Sequence, residues 1–123
     1  MAVPILKQGD MLIASIQSDL SDEDLEKLRD DVAERVGRFK SLGVIIDVSI
    51  LDVMDSFATR MLRTIGDTTK LRGAKTVIVG IQPEVAIAMV QLGLTLDGIP
   101  TALDLEEGLR LLKISITERH RGN

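Results

Sequence analysis

The run Gly43-Val44-Ile45-Ile46-Asp47-Val48 constrains this chain most. Its apolar residues are nearly continuous, the pattern of a strand covered on both faces. Directly after it, apolar residues recur at helical spacing: Phe57, Ala58, Met61, Leu62 and Ile65. A doubly covered strand needs packing layers above and below it. A strand that runs into a helix returns to its sheet through a parallel crossover. The rest of the chain must therefore supply further strand–helix units.

It does so in order. Pro4-Ile5-Leu6-Lys7-Gln8 reads as an edge strand, because the proline at its start lacks a backbone donor. Gly9-Asp10 is a turn, and Met11 to Gln17 is a second strand that closes a hairpin. Leu20-Ser21-Asp22-Glu23-Asp24-Leu25 opens a helix, with Ser21 as cap, Asp24 in the capping-box position and two leucines at the staple positions. Its apolar stripe is Leu25, Leu28, Val32, Val36 and Phe39. The helix beginning at Asp55-Ser56 runs to about Leu71, with Gly73 as its stop. Lys75 to Val79 is the fourth strand. Gly80-Ile81-Gln82-Pro83 leads into a third helix that ends at Gly93. Ile99 to Ala102 is a short last strand, and Asp104-Leu105-Glu106-Glu107 starts a final helix striped by Leu105, Leu109 and Leu112.

This order predicts a single α/β domain over residues 1–123. The sheet is small and mixed, an initial hairpin followed by parallel strands, with about four helices mostly on one face. The ordered core is expected over 1–113, with 114–123 a frayed tail.

Composition excludes several functions. The hydrophobic fraction of 45% supports a core, but Phe39 and Phe57 are the only aromatic residues, so bases have no stacking platform. A net charge of −4 argues against a nucleic-acid backbone as partner. With no cysteine and His120 the sole histidine, in a basic tail, a transition-metal site is not expected. There is no glycine-rich phosphate loop and no nucleophile elbow. No apolar run reaches the roughly 18 residues a membrane helix needs, and no signal peptide is visible, so a cytoplasmic, membrane-free location is expected. The reading is of a non-enzyme without a cofactor.

What remains is the mouth of the second helix. Asp55 and Ser56 are both good caps, and a helix needs only one. One side chain is therefore spare, at a site where unpaired N–H groups and the helix dipole favour negative charge. Ser56 is the candidate hydroxyl for phosphorylation and Thr59 the runner-up. Asp55, Phe57, Arg60 and Arg63 flank it as candidate docking residues, with Lys70 and Arg72 further along the same polar side. Asp52 is read as a turn residue and Asp47 as the partner of a neighbouring backbone N–H or of Lys75, rather than as metal ligands or phosphate acceptors.

Three segments carry a family resemblance: Val44-Ile45-Ile46-Asp47 followed by Met54-Asp55-Ser56; Leu71, Gly73-Ala74-Lys75 and Val77; and Gly80-Ile81-Gln82-Pro83-Glu84-Val85-Ala86 running on to Leu92-Gly93-Leu94. With the opening Pro4-Ile5-Leu6 and the closing Thr101 to Leu109 they span nearly the whole chain. The sequence resembles the STAS domains of anti-sigma-factor antagonists, and among them the short scaffold subgroup of the stressosome. Gly-Ile-Gln-Pro is the most specific sign. The chain is expected to lack the sensor domain of the larger co-antagonists. Simple antagonists carry Asp-Ser-Ser-Gly at this helix start. Asp55-Ser56-Phe57-Ala58 departs from that, which counts against the alternative of a simple antagonist that binds an anti-sigma kinase.

The resemblance implies a function. Such scaffolds co-assemble with RsbR-type sensor-bearing STAS paralogues and sequester an RsbT-type serine kinase. The kinase phosphorylates a serine carried here onto Ser56 and departs. A PP2C-type phosphatase resets the system.

Overall fold

The computed structural model describes residues 3–121. Its strands are β1 (Ile5–Gln8), β2 (Met11–Ser15), β3 (Gly43–Asp47), β4 (Lys75–Val79) and β5 (Thr101–Ala102). Its helices are α1 (Asp22–Phe39), α2 (Ser56–Leu71), α3 (Pro83–Gln91) and α4 (Leu105–Arg121). The strands lie side by side in chain order, β1-β2-β3-β4-β5. Only the β1–β2 hairpin is antiparallel; the other neighbours are parallel.

That order decides where the helices go. Each crossover steps to the next strand in the same direction, and crossovers of this kind are right-handed. Helices α1, α2 and α3 must then share one face. The alternation of side chains along the strands agrees with this. Leu12, Ala14, Val44, Ile46 and Ile78 pack under Leu28, Val32 and Val36 of α1, Leu62 and Ile65 of α2, and Val85 and Met89 of α3. The intervening residues Met11, Ile13, Ile45, Val77 and Val79 point to the other face, where α4 covers them with Leu112.

This second layer changes the reading of the C-terminus. A frayed tail was expected from 114, but α4 continues to Arg121. The reason is packing: Leu109 and Ile116, one turn before and one turn after Leu112 on the same stripe, also rest on the sheet. Residues 122 and 123 and the side chain of His120 lie outside the described residues.

Local signals explain the boundaries. Ser21 Oγ accepts from Asp24 N at 3.1 Å while Asp24 Oδ2 accepts from Ser21 N at 3.1 Å, a complete capping box. The Ser21 backbone N–H is the main cause holding the Asp24 carboxyl below its ordinary pKa. Strand β5 is shorter than expected. Pro100 has no N–H to give, and Ile99 is drawn into the core, where its side chain sits against the bare Gly66 of α2.

Candidate functional site

The β3–α2 loop, residues 48–55, delivers the chain to the start of α2. Asp55 is the cap: its Oδ1 accepts from Ala58 N at 2.8 Å. Ser56 is the first residue of the helix and is exposed. With the cap already filled, Ser56 Oγ makes no hydrogen bond among the described residues. Thr59 is different. It is 2% exposed and its Oγ1 donates to Asp55 O at 2.9 Å, so its hydroxyl serves the helix. Of the two hydroxyls, Ser56 alone is presented to solvent.

The flanking residues divide into separate groups. Phe57 is half-buried against Leu25, Ala58 and Met61 and ties α2 to α1. Arg60 and Arg63 line a shallow groove of about 170 Å³ together with Ser56, Thr59 and the Gly93-Leu94-Thr95 loop. Lys70 and Arg72 are not part of it. Lys70 lines a separate cavity with Lys75 and Ile99, and the Arg72 guanidinium packs over Gly37 of α1. Asp55, the residue before Ser56, borders a second groove, of about 370 Å³, together with Asp19, Asp22 and Asp52. The Asp55-Ser56 ridge thus borders an acidic groove and a basic one. The loop also exposes Ile50 and Val53. Among the described residues no group of three acids or histidines is placed to hold a metal ion.

Sequence reasoning missed Gln82. By position it caps α3, yet it makes no capping bond. Its Nε2 instead donates across to Ser49 O at 2.8 Å and, more weakly, to Asp52 Oδ1 at 3.4 Å. This brace holds the β3–α2 loop against the β4–α3 turn. A glutamine at a position that favours Ser, Thr, Asp or Asn was the available signal. Asp47 behaves as expected, its Oδ1 accepting from Ser49 N at 2.9 Å.

Gly80 permits the close approach. It has φ +83°, and a Cβ there would lie 2.8 Å from Ser49 Cβ and 3.2 Å from Ser49 Cα. Gly80→Ala is therefore expected to cost about 2 kcal/mol, from the left-handed backbone and the displaced loop. A urea titration checks the loss. Hydrogen exchange should show it concentrated in residues 48–55, and protection there equal to the parent's would contradict this account.

Three comparisons with known proteins fit this geometry. The STAS domain family model matches residues 2–108. A serine-to-glutamate variant of RsbS from Moorella thermoacetica is 36% identical, with a TM-score of 0.80 over 94% of this chain and 97% of its own. A chain from the molecular architecture of the stressosome, described as a signal integration and transduction hub, is 37% identical, with a TM-score of 0.77 over 92% of this chain and 98% of its own. The RsbT co-antagonist protein RsbRD of Bacillus subtilis is 31% identical over 80 residues, which are 65% of this chain but 29% of that protein. The chain thus spans under a third of the length of that relative. The family model covers residues 2–108, far more than half of the sequence, and the likeness to RsbS runs over nearly the same span: this chain belongs to the STAS domain family.

Proposed function

We propose that this chain is a non-enzymatic stressosome scaffold that sequesters an RsbT-type serine kinase and releases it when Ser56 is phosphorylated. The observation that carries the reading is the idle, exposed Ser56 hydroxyl beside a cap already filled by Asp55. Membership of the STAS family and likeness to RsbS support a non-enzyme. Likeness to a stressosome chain and to an RsbT co-antagonist supports the choice of partners, an RsbR-type paralogue and the kinase. A PP2C-type phosphatase completes the cycle. Among the described residues no helix is long and apolar enough to cross a membrane.

Phosphorylation adds about −1.5 to −2 charges. At the first helical residue the dipole offsets this by roughly 0.3–1 kcal/mol, and Asp55 opposes it. Both are small beside the roughly 5–15 kcal/mol stability of a domain, so the fold is retained. A partner pressed on the ridge has no such tolerance, because a buried unpaired charge costs several kcal/mol. Release then follows from lost complementarity without refolding. Incubation with an RsbT-type kinase and ATP, followed by peptide mapping, should find phosphate on Ser56 and none on Thr59. Phosphate on another residue, or none, would refute the reading.

A further inference from the structure

We propose that phosphate on Ser56 pairs with Arg60 and Arg63 of its own helix and withdraws both guanidiniums from the partner surface. This rests on the reading of Ser56 as the modified residue. Ser56, Arg60 and Arg63 share one stripe of α2: Arg60 is one turn beyond Ser56, the spacing of neighbouring side chains, and Arg63 is two turns beyond it. All three line the same groove. Among the described residues neither Arg60 nor Arg63 has a carboxylate within ion-pair distance, so both guanidiniums are available to a new anion. Asp67 lies one turn beyond Arg63 and is the nearest competitor along the stripe, and no ion pair joins them.

The direction of the phosphate is set by charge in both grooves. The groove that Asp55 borders is also lined by Asp19, Asp22 and Asp52, and these carboxylates repel it. The third wall of the basic groove, Gly93-Leu94-Thr95, carries no charge. A phosphate on Ser56 therefore has one favourable side. Guanidinium binds carboxylate and phosphate through the same forked donors, so an arginine engaged by the phosphate is lost to an acidic partner. Modification would then act twice: it adds negative charge to the ridge and removes the two cations next to it.

The test installs phosphoserine at position 56 during translation, so that no kinase is needed. The phosphorus-31 resonance is followed against pH in the parent, Arg60→Gln, Arg63→Gln, the double variant and Arg110→Gln. Arg110 is exposed on α4 and serves as the control. Cations at close range favour the doubly ionised phosphate, whose second proton otherwise leaves near pH 6. The double variant should raise that midpoint by about 0.5 unit, each single variant by part of this, and 0.5 M salt should shrink the difference. A double-variant shift no larger than the Arg110→Gln control overturns the pairing. That result would leave Ser56 intact as a kinase target. A kinase that spares Ser56 would refute the functional reading and leave the titration standing.

Discussion

Replacing Ser56 with alanine is expected to abolish phosphate transfer and to leave the kinase bound after ATP is added, with no loss of stability. The separation of effects comes from who caps the helix. Asp55 fills that role through its bond to Ala58 N, so nothing structural depends on the Ser56 hydroxyl. Alanine is the best helix former, and the position is exposed, so the stability change should stay within about 0.5 kcal/mol. Ser56→Asp should weaken capture at least about tenfold, since even 1.4 kcal/mol of the cost of a buried unpaired charge gives that factor. Asp55→Ala would be a poor substitute experiment, because it removes the cap and costs about 1 kcal/mol by itself. Intact mass and co-purification with the kinase decide the matter. Continued stoichiometric phosphate uptake by Ser56→Ala, or release unchanged from the parent, would end the case for this residue.

Much of this was legible because local and global signals agree. The box Ser21–Asp24, the glycine stop after α2 and the continuous apolar strands each have one physical solution. The idle serine was also legible, since two caps stood in a row where one suffices. Three features were hidden, all for the same reason. The brace from Gln82 to Ser49 spans 33 positions, the groove joins α2 to the loop after α3, and Arg72 leaves its polar stripe to pack on Gly37 of another helix. Periodicity reports which face a residue takes on its own element. It carries no information about which distant loop comes to lie beside that face, and the basic stripe therefore read as one surface when it is three. The tail failed differently. Ile114, Ile116 and polar neighbours look like a weakening stripe, and only the uncovered second face of the sheet gives Ile116 something to rest on.

Leu112→Ala tests that second face and should be the most destabilising single change considered. Leu112 is fully buried against Met11, Ile13, Ile45, Val77 and Val79. It also occupies the space that Gly43 leaves by having no side chain, since a Cβ there would come within 2.9 Å of Leu112 Cδ1. Strand backbone beneath it is fixed by pairing on both sides, β2 and β4, so the site has little freedom to collapse. The loss should be about 2–5 kcal/mol, a large part of the roughly 5–15 kcal/mol available to a domain. The urea midpoint should fall with the slope unchanged, whereas Ile114→Ala, half-exposed on the same helix, should shift it little. Equal effects from the two substitutions would mean that α4 does not dock as described. The face covered by α4 is opposite the one carrying α2, so Leu112→Ala, at temperatures where it is folded, should still accept phosphate at Ser56 at the parent's rate. A variant that is folded yet unmodified would show that the kinase reads more of this molecule than the ridge at the mouth of α2.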